Sequence, residues 1–172
     1  MVNLLIDAGN TSVKMAISRG GDITDETRCE ADSLIGDIDR YFHKYGHIGV
    51  VAVSDVRGLP ETIYTHLEKI CRKVIRVKGD TPLPVNNRYG TPKTLGPDRI
   101  CAAVGAHSLF PGKDCVIVDF GTAITFDFLT KEGDFLGGNI SLGLNTRFRA
   151  LNHFTGKLPL LQRVENVEQI GN

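Results

Sequence analysis

Residues 4–18 read LLIDAGNTSVKMAIS: an apolar run meets Asp7, turns on Gly9-Asn10-Thr11-Ser12, places Lys14 and becomes apolar again. Apolar runs bounded by turn residues predict two strands, 3–9 and 12–19, joined as a hairpin. The pattern returns at residues 114–129, DCVIVDFGTAITFDFL, where Asp119-Phe120-Gly121-Thr122 matches Asp7-Ala8-Gly9-Asn10-Thr11. A short match in the same strand-turn-strand setting predicts an internal duplication of one fold unit.

The residue types in these turns suit polyphosphate. Glycine lets the backbone approach an anion closely, and turn N–H groups form a small positive concavity. Thr11, Ser12 and Thr122 carry hydroxyl donors, and Lys14 adds a point charge. Asp7 would repel phosphate, so it fits such a site with Mg²⁺ or its water shell between the two. A tight hairpin with a hydrogen-bonded aspartate is the structural alternative for either turn alone. No GxxxxGK[ST] and no GxGxxG is present, so neither a P-loop nor a dinucleotide site is supported.

Working outward, residues 22–30 predict a third, edge-like strand. Residues 32–46 predict a helix with Leu34, Ile38, Tyr41, Phe42 and Tyr45 on one face, Asp32 or Ser33 as N-cap and Gly46 as stop. HIGVVAVSDVR (47–57) reads as a parallel strand buried on both faces. LPETIYTHLEKICR (59–72) reads as a helix with Pro60 at its start, and KVIRVKG (73–79) as a fifth strand. Residues 79–95 are irregular and proline-rich, marking a functional loop or a boundary. A helix follows from Pro97, with Ile100, Ala103, Val104 and His107 on one face. After the second hairpin, 133–143 reads as a third strand. Residues 144–154 read as a helix with Leu144, Phe148, Leu151 and Phe154 on one side. The layout is mixed α/β.

The chain has 172 residues, 41% hydrophobic and 23% charged, with 20 basic and 20 acidic side chains. That balance carries no nucleic-acid or acidic-membrane footprint. No apolar stretch reaches transmembrane length, and Asp7 interrupts the N-terminal run too early for a secretory signal. Cys29, Cys71, Cys101 and Cys115 lack metal-finger spacing and read as reduced buried thiols of a cytoplasmic protein. The five histidines form no ligand pair at helical spacing.

Five segments in order, DAGNTSVK (7–14), GPDR (96–99), DFGTAITFD (119–127), FLGGNISLG (135–143) and ALNHFTGKLP (150–159), resemble those of type III pantothenate kinases. These belong to the superfamily of acetate and sugar kinases, heat-shock chaperone ATPases and actin. The resemblance implies a duplicated ribonuclease H-like fold with mixed sheets, divided into lobes 1–112 and 113–172, the second incomplete. It implies transfer of the ATP γ-phosphate to pantothenate, giving 4'-phosphopantothenate at the first step of coenzyme A biosynthesis, with Mg²⁺ and potassium or ammonium as cofactors, in a homodimer.

By the same resemblance Asp98 is the catalytic base, and Asp7, Ala8, Gly9, Asn10, Thr11, Ser12, Val13, Lys14, Gly121 and Thr122 form the nucleotide turns. Tyr89, Gly96, Pro97, Asp98 and Arg99 contact pantothenate, with Arg99 suited to its carboxylate. Asp119, with Asp7, holds metal; a carboxylate ending a buried strand needs a cation or backbone N–H partners. Asp98 lies in the first turn of a predicted helix, which should keep its pKa low; complementing the helix dipole is its structural alternative. Arg99 has the alternative of a salt bridge and Tyr89 of loop packing; Gly137-Gly138 allow close packing or nucleotide approach, with a plain bulge as the alternative. Asp127 is a structural cap or an outer group.

The sequence departs from the family at Leu142, where a proline is usual. VEQIGN (167–172) looks like the opening of a further pantothenate-contacting motif, and the expectation is a fragment or a short relative lacking the rest of the second lobe. A non-catalytic regulatory relative of the transcriptional accessory type is the alternative function. Asp7, Asp98 and Asp119 are all present, which argues against decay of an active site.

Overall fold

The computed structural model describes residues 1–162; VEQIGN lies outside them. Strands β1 (Val2–Ala8), β2 (Val13–Arg19) and β3 (Asp22–Cys29) form an antiparallel meander. A short 3₁₀ turn leads into α1 (Leu34–Tyr45), followed by β4 (Ile48–Asp55), α2 (Glu61–Ile70) and β5 (Lys73–Val77). β4 pairs parallel with β1 and β5, so the first sheet runs β3-β2-β1-β4-β5. β1 is central, and β3 is an edge, the position the sequence had suggested for it.

The strand pleat sorts side chains between two environments. Leu4, Ile6 and Ala8 of β1, with Val13, Met15 and Ile17 of β2, face α1 and α2 and are buried. Leu34, Ile38 and Tyr41 of α1 and Ile63, Tyr64 and Leu67 of α2 complete this core. Each fully buried side chain of this size contributes about 1.5–3 kcal/mol. Period-two alternation then sends Asp7, Lys14 and Ser54 to the opposite face. That second face is open, so β4 is not buried on both sides as its apolar run had implied: Val50 and Ala52 are only half-buried.

Gly46 ends α1 with φ 67°, a conformation glycine adopts without strain. Ser33 occupies the N-cap position, but its hydroxyl bonds Asp37 Oδ2 (2.8 Å) and the Glu30 carbonyl instead of the helix backbone. Asp25, at φ 53°, sits where the β2–β3 register shifts. Its carbonyl accepts from Tyr41, and its carboxylate from Tyr45 and Lys44, pinning the edge strand onto α1.

The second sheet repeats the meander with β7 (Cys115–Phe120), β8 (Ala123–Leu129) and β9 (Asp134–Leu142). A two-residue strand, β6 (Asn86–Asn87), pairs parallel with β9 and comes from the stretch read as irregular. The order is β6-β9-β8-β7. Helix α3 (Pro97–Leu109) packs Ile100 and Ala103 against Leu129 and Phe135, so this core draws on both sides of residue 112. Helix α4 (Leu144–Phe154) follows, but Leu144, Leu151 and Phe154, expected on a packed face, are exposed. All four cysteines are free; only Cys29 is fully buried, and Cys71, Cys101 and Cys115 are half-buried. Among the described residues, no helix is long and apolar enough to cross a membrane.

Candidate active site

The two glycine turns meet. Gly9 N–H donates to the Ser12 carbonyl at 3.1 Å, closing the first; Gly121 N–H donates to the Ala123 carbonyl at 2.9 Å, closing the second. Thr11 Oγ1 and Thr122 Oγ1 lie 3.0 Å apart. The second turn is braced from behind by α4. Gly143 N–H and Thr146 Oγ1 both donate to the Thr122 carbonyl, at 3.0 and 2.7 Å. A Cβ on Gly143 would stand 2.1 Å from the Gly121 carbonyl oxygen, so only glycine allows this approach.

Beside the turns is a cleft of about 880 Å³ whose lining includes Asp7, Lys14, Ser54, Asp98, Cys101 and Asp119. Its floor is a single register row across the first sheet: Arg28 pairs with Lys14, Lys14 with Asp7, Asp7 with Ser54, and Ser54 with Val77. All five line the cleft. Lys14 Nζ lies 3.9 Å from Asp7 Oδ2. Arg28 and Ser54 escaped the sequence analysis, because their place beside Asp7 comes from strand pairing, which no local motif encodes. Ala8 and Val13 point into the core, so the first turn offers only backbone at those positions.

Asp7, Asp98 and Asp119 face this one space, and Glu26 of β3 is a fourth carboxylate in its lining. The Asp98 carboxyl is held above its ordinary value, first by burial and then by the charges of Asp7 and Asp119. The Arg99 N–H, which donates to Asp98 Oδ1 at 2.8 Å, opposes this but does not win. The low pKa expected from the helix N-terminus is therefore corrected. An exposed helix end stabilises a carboxylate by only about 0.3–1 kcal/mol, and here desolvation and like charges outweigh it. Burial, with Asp7 and Asp98, also raises the Cys101 thiol to about 11, so it stays protonated at neutral pH. Gly96 opens α3, and a Cβ there would stand 2.4 Å from Asp98 Oδ1. Glycine at position 96 thus leaves room for the carboxylate at the helix start.

Asp119 is exposed, because β7 is the outer strand of its sheet. Solvent can satisfy it, so Asp119 does not end a buried strand that forces a partner on it. No group of three His, Cys, Asp or Glu side chains is close enough to cage a metal among the described residues. Hard carboxylate oxygens spread around an open cleft instead fit Mg²⁺ held through water and phosphate oxygens, the usual mode for that ion.

Arg99 is 6% exposed and Asp127 3% exposed. Arg99 Nε donates to Asp127 Oδ2 at 2.9 Å and Nη2 to Oδ1 at 2.5 Å, a bidentate buried pair. Asp127, without an assigned role in the sequence, is thus the partner that holds Arg99. The Tyr89 ring lies 5.5 Å from the guanidinium and packs on Gly137, where a Cβ would meet it at 2.5 Å. Gly137 has φ 81° and adjoins the register shift of β8 and β9. Gly138, opposite Asp127, approaches Phe126 so closely that a Cβ would stand 1.7 Å from its carbonyl oxygen. Bulge and close packing are therefore both present.

The family model described as type III pantothenate kinase matches residues 3–172. A type III pantothenate kinase of Bacteroides fragilis is 39% identical over 170 residues, covering 99% of this chain and 69% of the relative. Another, of Phocaeicola vulgatus, is 40% identical over 173 residues with the same coverage. A solved structure described as a putative Baf family transcriptional activator from Campylobacter jejuni is similar with TM-score 0.56 and 22% identity, covering 89% of this chain and 61% of that one. That likeness bears on the fold alone. With a family match over almost every residue, and close relatives matched over more than two thirds of their length, this chain belongs to the type III pantothenate kinase family.

Proposed function

We propose that the cleft beside the two turns transfers the γ-phosphoryl group of ATP to the primary hydroxyl of pantothenate. The observation that carries this reading is the meeting of Thr11 and Thr122 beside a cleft lined by Asp7, Asp98 and Asp119. The turn N–H groups, the threonine hydroxyls and Lys14 hold the phosphates. Asp98 orients the acceptor hydroxyl and takes its proton as the oxygen attacks the γ-phosphorus. The bond from that phosphorus to the bridging oxygen breaks, and ADP leaves. A positioned base supplies about 10²–10⁴-fold, and its raised pKa makes Asp98 a better proton acceptor than an ordinary aspartate.

Asp7 would hold Mg²⁺ and Asp119 a monovalent cation, and such ions would neutralise charge on the phosphates. Arg99, adjacent to Asp98 in sequence, and Tyr89 beside it receive the acidic end of the acceptor, although neither lines the cleft and Arg99 is buried against Asp127. The lobes divide near residues 112 and 113, sharing the core under α3, and the active form is a homodimer.

A coupled ADP-release assay with pantothenate, with and without potassium, tests the reading. Turnover that needs pantothenate, rises with potassium and is lost in Asp98→Asn is expected. Equal rates for the two proteins would remove Asp98 from the chemistry. Light scattering on the purified chain tests the dimer.

A further inference from the structure

We propose that the Ser54 hydroxyl binds the neutral, hydroxyl-bearing part of the acceptor and positions its alcohol beside Asp98. This deepens the reading of the cleft given above and rests on it.

Among the described residues, two buried side-chain polar atoms lack a hydrogen-bond partner, Asn3 Oδ1 and Ser54 Oγ. Asn3 lies at the far end of β1 and does not line the cleft, whereas Ser54 does. Ser54 is 8% exposed. A buried hydroxyl without a partner costs stability that alanine would not, so its presence calls for an occupant that completes it.

The register row decides the class of occupant. Reading across the floor, the side chains are Arg28 and Lys14, then Asp7, then Ser54, then Val77. Two cations lie on one side of Asp7, with Glu26 of β3 also lining the cleft there, and an uncharged, increasingly apolar surface lies on the other. Phosphates belong on the Lys14 and Arg28 side. On the Ser54 side, Asp7 and Asp98 repel anions, and Ala52, Val77 and Cys101 offer no charge to attract them. A neutral alcohol or amide fits there, because a serine hydroxyl can donate to it and accept from it.

The hydroxyl is also held ready. β4 is hydrogen-bonded on both sides, by β1 and β5. The next residue, Asp55, accepts from the N–H groups of Arg57, Gly58 and Leu59 and from the Tyr64 hydroxyl. Val56 N–H donates to the Ala8 carbonyl at 3.1 Å. A group fixed in this way loses little freedom on binding.

The test compares the unsubstituted protein with Ser54→Ala and Ser54→Thr, varying pantothenate and ATP separately and melting each protein without ligand. We expect Ser54→Ala to raise the pantothenate KM about 5–10-fold, the loss of one neutral hydrogen bond. Its ATP KM should stay within about twofold, and it should melt no lower than the unsubstituted protein. Ser54→Thr, which keeps the hydroxyl, should restore most of the pantothenate KM. An unchanged pantothenate KM, or an equal rise for ATP, overturns the assignment, as does a lower melting temperature without a KM change. If the unsubstituted protein does not phosphorylate pantothenate at all, the reading of the cleft fails and this assignment fails with it.

Discussion

Thr11 Oγ1 and Thr122 Oγ1 stand 3.0 Å apart although 111 positions separate them in the chain. Both are exposed, so the contact does little for stability, and surface substitutions of this kind usually change it by no more than about 0.5 kcal/mol. Its consequence is geometric: the duplicated hairpins present their turns to one space. Thr11→Ala and Thr122→Ala should each raise the ATP KM about 5–10-fold with melting temperatures nearly unchanged. Unchanged ATP kinetics in the double variant would mean that the turns do not touch nucleotide.

Asp98 yields a pH prediction. Its carboxyl is raised by burial and by Asp7 and Asp119. Between the ordinary carboxylate value and the raised one, the unfolded chain releases its proton first, so stability falls as pH rises through that window and stays lower above it. Asp98→Asn should lack this loss and melt at or above the unsubstituted protein at neutral pH. Turnover needs the ionised form, so the acid limb of kcat/KM should lie above the ordinary aspartate pKa. A limb at the ordinary value, with Asp98→Asn melting lower, would refute the electrostatic account.

The Arg99–Asp127 pair is buried and bidentate, so removing one partner strands the other. Asp127→Asn leaves an uncompensated guanidinium and should destabilise the fold by about 3–5 kcal/mol, measured by urea unfolding. Arg99→Lys should lose part of the same energy, since an ammonium cannot match both carboxylate oxygens. A loss under 1 kcal/mol in Asp127→Asn would show that water reaches the pair.

Gly143 links the end of β9 to the second turn. Gly143→Ala forces a Cβ against the Gly121 and Thr122 carbonyls, at 2.1 and 2.6 Å in the present backbone, and these are backbone atoms that cannot swing aside. The Thr122 turn must shift. The ATP KM should therefore rise more than in Thr122→Ala, with an added stability loss of about 1–3 kcal/mol. An ATP KM like that of the unsubstituted protein would show that the turn position is unimportant to the nucleotide.

Periodicity and turn chemistry made most of the fold legible: alternation in β1 and β2, the apolar face of α1, Gly46 as its end. The hairpins' shared pattern picked out Asp7 and Asp119, which line one cleft. What escaped was set by pairing between distant segments. Arg99 and Asp127 are 28 positions apart on a helix and a strand, and nothing near either names its partner. Ser54 and Arg28 join the site only through register. β6 has two residues, too few for a period. The direction of the Asp98 pKa shift escaped because its helix position is local, whereas burial and the carboxylates Asp7 and Asp119 are not.

The outer face of the second sheet gives the last prediction. Val116, Val118 and Phe120 of β7 alternate outward, and the register sets Phe128 and Phe126 of β8 opposite Val116 and Val118. All five are exposed, Phe120 at 76%. Contiguous apolar surface on a sheet with an open edge strand binds hydrophobic dyes and promotes association. The chain should therefore enhance anilinonaphthalene sulfonate fluorescence and show concentration-dependent association by light scattering. Phe126→Asp places a charge in the middle of this face and should reduce both signals. The side chain is 43% exposed, so the variant should fold. Dye binding and association that survive Phe126→Asp would locate the sticky surface elsewhere, and absence of both in the unsubstituted chain would mean that this face is covered in solution.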